Sequence, residues 1–455
     1  MKSTCKADWI PYTRATLEQI YDSNIFLEPE GENRHESRSD FRTNISPTIG
    51  IRNESQFRVL SFEYAPSYSY FARNTNENYL RQTLAFDFNQ GISSHIYFYV
   101  HDSFDYNEEP ISEYGEEQST SVNYGRRKNI RNNGEGGFVY RFGPEDFFRI
   151  YYYDNRLLYP DDSGYGRQDN RIESSDDSVE YGPGIQVGYW ITQRNGVSFL
   201  YEWQRVDYEI RSSRRIDHLD AGYSYRWSPH TTLRIDYILD NVRTYGRLSP
   251  DYKIHQAAAG FEKMFSQSLS LTFLAGFYHR TMEDTILEEE TDLDIGSSHN
   301  NGFMGHMAIR YTQSNWNVSL TGEGGVRLEF ADYNNRGFTP YREISLDGHY
   351  YFSDRLHGFL SLSYTHEMSP DTLMALVEGD HRTETYNVST GVEYLLLEWL
   401  TCSAEYQYND QSETQVSDLH LTGYNDHVFS IRFTATYDWR HSEAQPETNS
   451  WQIPR

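Results

Sequence analysis

No stretch of this chain approaches the roughly 18 consecutive apolar residues that a membrane-spanning helix needs, so helical membrane architectures are excluded. Cysteine is nearly absent. Cys5 and Cys402 are the only two, with no CxxC and no Cys/His cluster, so no zinc or redox centre is expected. Basic charge is also scarce: 40 Lys and Arg face 67 Asp and Glu, for a formal net charge of -27. Phosphate backbones are held by basic surfaces, so nucleic acid is excluded as a partner. Catalytic signatures are missing too. There is no GxSxG elbow, P-loop, HExxH or GxGxxG entering a helix. His279, His299 and His306 straddle a loop instead of forming a compact ligand set. Ser361 and Ser363 beside His357 and His366 imitate a serine hydrolase pair, but polar residues fill every comparable row. No catalytic residue, cofactor or metal is expected, and the chain reads as a non-enzyme.

What is abundant is aromatic. The chain has 39 Tyr and 25 Phe, far too many for a disordered polymer. Yet only 37% of residues are hydrophobic and the mean hydropathy is -0.77, poor material for a large soluble core. Both facts fit a sheet with one face in lipid and the other in water, with aromatic girdles at the two interfaces.

The stretch YLRQTLAFDFNQGISSHIYFYVHDSFDY (79–106) shows how such a sheet is encoded. Leu84, Phe86 and Phe88 alternate with Thr83, Ala85 and Asp87. After the short polar turn NQGIS, Ile96, Phe98 and Val100 alternate with His95, Tyr97 and Tyr99. Strand side chains have period two, so one face of this hairpin is apolar and the other mixed. An acidic segment follows, and the unit of strand, tight turn, strand and long polar loop then recurs.

Hairpins of this kind are expected at RNESQ (52–56), NQGIS, GPED (143–146), QRNG (193–196), SPHTT (228–232), SQS (266–268), QSN (313–315), SDR (353–355) and LEW (397–399). Asn195-Gly196 within QRNG is a strong hairpin signal. The glycine-rich NNGEGG (132–137) is expected to bulge or bend its strand. An opening strand over 12–27 and a closing one over 426–439 bring the total to about twenty, with 18 to 22 allowed by boundary uncertainty. An even count with both termini on one side suits a bacterial outer-membrane barrel. The expected fold is therefore all-β: a transmembrane antiparallel up-and-down β-barrel with short periplasmic turns and long acidic extracellular loops. The acidic runs EPEGE (28–32), EEPISEYGEE (108–117) and EEETDLD (288–294) fall in those loops.

Two strands display the in/out pattern best. In 233–240, Leu233, Ile235, Tyr237 and Leu239 form the outer row against Arg234, Asp236, Ile238 and Asp240. In 429–439, Phe429, Ile431, Phe433, Ala435, Tyr437 and Trp439 are outer, with Arg432, Thr434 and Thr436 inner. Confining charge to one row makes sense when that row faces water, because a mid-bilayer Arg facing lipid costs about 2–4 kcal/mol. On this reading Glu63, Glu202, Arg234, Asp236, Asp240, Glu393 and Arg432 are pore-lining residues, since rings of charged side chains set ion preference.

The segments YDSNIFLEPE, SDFRTNISPTIGI, LSFEYAPSYSYFARNTNENY and SHIYFYVHDSFDYNEEP resemble the beta-barrel porin-2 family over roughly residues 20–110. Tyr21, Asp22, Asn24, Ile25 and Phe26 match its opening motif, and Ser46-Pro47 its first descending strand. The resemblance implies an outer-membrane protein, some members being encoded near exopolysaccharide machinery, and carries no catalytic residues. Asp22 and Asn24 are expected to hydrogen-bond backbone groups where the first strand bends into its loop.

The chain is thus expected to be a bacterial outer-membrane channel for small hydrophilic solutes or polysaccharide. The alternative is a non-conducting structural or adhesion barrel whose acidic loops bind cations, lipopolysaccharide or matrix. Expected partners are outer-membrane lipid and lipopolysaccharide, the barrel-assembly machinery and a polysaccharide export system. Residues 1–11 are expected as a periplasmic lead-in, 12–439 as the barrel and 440–455 as a polar periplasmic tail. MKSTCKADW has no apolar h-region, so an export signal is expected to have been removed or to lie upstream. Cys5 and Cys402 both fall on the periplasmic side, where a disulfide would persist.

Overall fold

In the computed structural model, residues 8–26, 38–55, 57–108, 128–160, 177–208, 213–245, 251–282, 300–327, 339–369, 381–415 and 422–438 are described. The acidic runs, Cys5, His299 and the C-terminal tail lie outside them, apart from Glu108 at the start of one run.

Twenty strands follow one another in chain order. The first five are β1 (Asp8–Asp22), β2 (Asp40–Ser55), β3 (Arg58–Phe71), β4 (Tyr79–Gly91) and β5 (Ile96–Asn107). Next come β6 (Asn129–Arg141), β7 (Phe147–Leu158), β8 (Ser178–Trp190), β9 (Asn195–Tyr208) and β10 (Ser213–Ser228). The third group is β11 (Thr231–Tyr245), β12 (Tyr252–Met264), β13 (Leu269–Met282), β14 (Asn300–Gln313) and β15 (Trp316–Arg327). The last is β16 (Thr339–Ser353), β17 (Leu356–Ser369), β18 (His381–Leu397), β19 (Leu400–Gln415) and β20 (Thr422–Asp438). Each strand pairs antiparallel with the next, and β20 pairs with β1, with Thr16 opposite Thr434. No sheet edge is left open, which is what allows strands to cross lipid. The barrel is closed.

The opening strand differs in extent from its expected 12–27, because pairing with β2 begins at Asp8 and ends at Asp22. There the chain turns. The Asp22 carboxylate accepts the Asn24 N–H (2.8 Å), and Asn24 Nδ2 donates to the Asn425 carbonyl (3.2 Å). Ser23 donates its N–H to the His427 carbonyl (3.0 Å) and its hydroxyl to Asp426 (2.9 Å). Ile25 is then tucked against Phe71 and Tyr79. The polar residues of the YDSN motif therefore fasten the β1–β20 seam at its loop-side end, as side chains of this kind do in turns.

Five of the tight turns, those joining β2 to β3, β10 to β11, β14 to β15, β16 to β17 and β18 to β19, are shorter than expected, with two residues each, and four turns share a device. Ser93, Thr192, Ser266 and Ser353 each accept two backbone N–H groups from residues two and three positions on, at 3.0–3.3 Å. Thr192 thus closes its turn before Asn195-Gly196, and these two open β9 instead of occupying the turn centre. Gly196 is there for another reason: a Cβ on it would meet the Trp190 ring at 3.0 Å. The expected bulge at NNGEGG is also corrected. Residues 131–137 pair without a break on both sides. Glycine is required at 137, where a Cβ would meet the Ile150 carbonyl at 2.6 Å and Tyr99 and Tyr151 at 2.8 Å, whereas Gly134 and Gly136 have room for one.

Side chains on the concave side of a cylinder converge while those on the convex side diverge, so the less exposed row is the interior. The exterior row is the apolar one: Ile235 is 57% exposed and Phe433 40%. On β13 it runs Leu269, Leu271, Phe273, Ala275, Phe277 and then His279. Eight residue steps at ~3.4 Å and a tilt near 40° give an apolar band about 21 Å tall, close to the ~25 Å of such barrels. Exposed Trp9, Trp227, Trp316 and Trp399 ring the turn-side border, and Tyr21, Phe41, Tyr70 and Phe303 the loop side. These are the two girdles that the composition implied.

Candidate functional site

The interior row is the candidate site. Its polar groups are paired across strands in register, as side chains on one face of a sheet are. All seven residues expected to line a pore sit on it, distributed around the wall; only Arg234 and Asp236 share a direct bond. Glu63 accepts the Tyr12 hydroxyl (2.8 Å) and Arg14 (3.2 Å). Glu202 accepts the Tyr151 hydroxyl. Arg234 bridges Asp236 (3.3 Å) and Glu262 (3.0 Å). Asp240 is buried against His218 Nδ1 (2.5 Å) and Gln256 (3.5 Å). Glu393 stands 4.0 Å from His357.

Arg432 has a distinct role. Its guanidinium donates twice to Glu18, at 2.9 and 2.6 Å, across the strand pair that closes the barrel, and Asn44 donates to the same carboxylate (3.0 Å). Glu18→Ala is expected to lower barrel stability by roughly 1.5–3 kcal/mol, the range for hydrogen bonds to charged groups. The value should fall toward the low end because Arg432 is half-exposed and screened. Urea midpoints of the refolded barrel check this; the swap Glu18→Arg with Arg432→Glu should recover part of the loss.

Sequence reasoning missed a second feature, repeated around the wall. An interior tyrosine lies flat across a glycine of the next strand. Tyr12 covers Gly50, Tyr99 reaches over Gly137, Tyr151 covers Gly184 and Tyr278 covers Gly302. A Cβ on Gly50, Gly184 or Gly302 would sit within 2.1–2.2 Å of a ring carbon or hydroxyl, so only glycine fits. Two of these rings reach a carboxylate one strand further on: Tyr12 to Glu63 and Tyr151 to Glu202. Tyr99 donates to Glu135 (2.7 Å) and accepts from Arg149 Nε (2.7 Å), while the Arg149 guanidinium also stacks over Tyr151 at 4.2 Å. All four Tyr–Gly pairs join strands connected through loop-side segments. Register across such segments is not readable from sequence.

Most of the buried wall residues lie toward the loops. Buried wall residues in the loop-side half run right round the barrel, from Glu18 and Phe71 through Ile216, Val242 and Ile254 to Glu367, Thr383, Gln411 and Asp426. One apolar cluster there joins Val206, Tyr208, Ile216, Val242, Tyr252, Ile254 and Tyr278.

The hydrolase imitation dissolves. Ser361 and Ser363 face the interior, bonded to Asp347 (2.7 Å) and Asn387 (3.2 Å), whereas His366 faces outward toward Glu384 (3.6 Å). His279 and His306 lie on opposite faces of the wall, with Asn301 and Glu323 beside them. Cys402 is unbridged and sits on the outer row opposite Phe433.

No family model and no curated protein matches the chain. Solved structures do. The FrpB iron transporter from Neisseria meningitidis aligns over 95% of this chain and 83% of its own, at 8% identity and a TM-score of 0.56. A mutant of the ferric enterobactin receptor PfeA from Pseudomonas aeruginosa, bound to enterobactin, aligns over 93% and 81%, at 10% identity and 0.50. The outer-membrane protein opdK from the same organism covers 94% and 99%, at 9% identity and 0.44. The fold is that of an outer-membrane β-barrel. With an apolar band of membrane height outside and a polar wall inside, the chain belongs in an outer membrane.

Proposed function

We propose that this barrel is a channel for small hydrophilic solutes with a preference for cations. The carrying observation is an interior row that bears polar groups on all twenty strands of a closed barrel. Barrels of 16–18 strands already enclose an aqueous channel, so twenty strands supply the width. The seven expected pore-lining residues serve in that lumen, and the five acidic ones among them focus cations as charged rings do. Lipid and lipopolysaccharide are the partners of the outer row, and the aromatic rows of β20 are what an assembly machinery would read. A role with polysaccharide and its export system rests on the resemblance over residues 20–110.

A second reading, a non-conducting surface barrel, is favoured by the ring of buried loop-side wall residues. Single-channel recording separates the two. Refolded protein, first shown on gels to shift in mobility on heating, should give discrete current steps in a planar bilayer with a cation-selective reversal potential. A folded barrel that carries no current would end the channel reading and leave the surface barrel.

A further inference from the structure

Charge is not spread evenly around the lumen. Interior arginines occur on β1, β2, β4, β6, β7, β10, β11, β13, β14, β15 and β20 among the described residues, so nowhere else do more than two neighbouring strands lack one. The interior rows of β16 to β19 carry no Arg and no Lys at all. Carboxylates on the arginine-bearing wall are mostly held by a guanidinium, as Glu63, Glu135, Asp236 and Glu18 are. At the loop-side end of the panel Glu343 (2.6 Å) and Glu367 (3.0 Å) are held by Arg327 of β15, but at mid-height Asp347 accepts from Ser361 (2.7 Å), and Glu405 accepts from Ser389 (2.8 Å) and Gln407 (2.7 Å). Asp347, Ser361, Ser389 and Gln407 are directly opposed in register, so these groups form one continuous row. Glu393, two residues past Gly391, extends it toward the turn side, its side chain 45% exposed.

Side-chain size is segregated the same way. β5 to β9 fill their side of the lumen with Tyr97, Tyr99, Arg149, Tyr151, Tyr153 and Trp190. The interior rows of β17 to β19 at mid-height are Ser, Thr, Asn, Gln and Glu405, with Phe359 flat over Gly391 and His357 nearer the turns; those of β12 to β15 are comparably short but carry Arg280, Arg310 and Arg327. Short side chains leave space where bulky ones remove it, so the open cross-section is displaced toward β12 to β19, of which β16 to β19 are the stretch without an interior arginine.

We propose that permeating cations run off-centre along this panel, and that Asp347, Glu393 and Glu405 determine the selectivity of the channel. The proposal rests on the channel reading above. Space and carboxylates without a guanidinium partner coincide at mid-height on one wall, while on the other wall interior arginines offset many of the carboxylates and repel cations. The solutes favoured are potassium-like ions and ammonium-bearing molecules, for which Ser, Gln and carboxylate oxygens are acceptors. Anionic solutes are disfavoured.

The test is the reversal potential in a potassium chloride gradient. The triple variant Asp347→Asn, Glu393→Gln, Glu405→Gln keeps side-chain volume and the serine hydrogen bonds, so it should fold and shift in mobility on heating. Its cation-to-anion permeability ratio should drop about fivefold or more, the Boltzmann factor for a single charge ~4 Å away in water. Removing a compensated pair outside the seven expected pore-lining residues, Arg81→Gln with Asp105→Asn, should leave the ratio unchanged. Ser389→Arg serves as the second probe and should lower the ratio without loss of folding. An unchanged ratio in the triple variant, or an equal drop in the compensated double variant, overturns the panel but not the channel. Absence of current in the wild-type barrel overturns both.

Discussion

Ile235→Arg is expected to destabilise the barrel by about 2–4 kcal/mol, the cost of a basic side chain facing lipid near mid-bilayer. Ile235 is on the outer row of β11, four positions above the turn-side end, between Tyr223 on β10 and Ala259 on β12. Its neighbour Arg234 is already an arginine and is satisfied by Asp236 and Glu262 on the interior side. The same side chain one residue along thus has opposite consequences, because consecutive residues face opposite sides of the wall. Unfolding midpoints in lipid vesicles would show the loss, and in a short-chain detergent micelle it should shrink. A variant as stable as the parent in lipid would mean that Ile235 does not face the membrane.

Gly184→Val should be equally damaging, and for a reason that runs against local preference. Valine in a strand is favoured over glycine by up to ~1 kcal/mol, so the local contribution is stabilising. The tertiary term opposes it: a Cβ at position 184 would lie 2.2 Å from Cζ of Tyr151. The ring is pinned by its bond to Glu202 and by Arg149 stacked on its face. Overpacking at such a site costs roughly 1–3 kcal/mol. Tyr151→Ala removes the ring, so the cost of Gly184→Val in that background should vanish or change sign. A double-mutant cycle on urea midpoints measures this coupling. Additive losses would show that Tyr151 can leave Gly184 freely and that the joint contributes nothing.

Much of the architecture was legible in the sequence. The alternation at Leu233 to Asp240 and at Phe429 to Tyr437 correctly separated outer from inner rows, because charge in lipid is costly enough to leave a clean pattern. The tight turns were legible because a few polar residues between alternating runs leave the chain little choice. NNGEGG was misread for an instructive reason: locally, glycines weaken a strand, yet this run pairs unbroken on both sides and Gly137 sits beneath Tyr99 and Tyr151 from the flanking strands. Asn195-Gly196 was misplaced because the Thr192 hydroxyl, one turn earlier, completes the hairpin. The seven wall residues were found from parity, but their partners were not. Glu18 and Arg432 are separated by most of the chain, and Tyr151 and Gly184 by a long loop whose length does not determine register.

By itself, the sequence determined that this chain forms an even-numbered transmembrane sheet with an apolar exterior, a polar interior and short turns on one side. Period-two patterning and turn chemistry are local properties, and lipid enforces them strand by strand. Only the tertiary structure decided which wall residues cancel one another, where tyrosines demand glycine, and that the interior rows of β16 to β19 carry acid without arginine. Those features depend on register across long loops and on closure of β20 onto β1. Closure brings together side chains that no local pattern relates, and the field inside the lumen is set by that meeting.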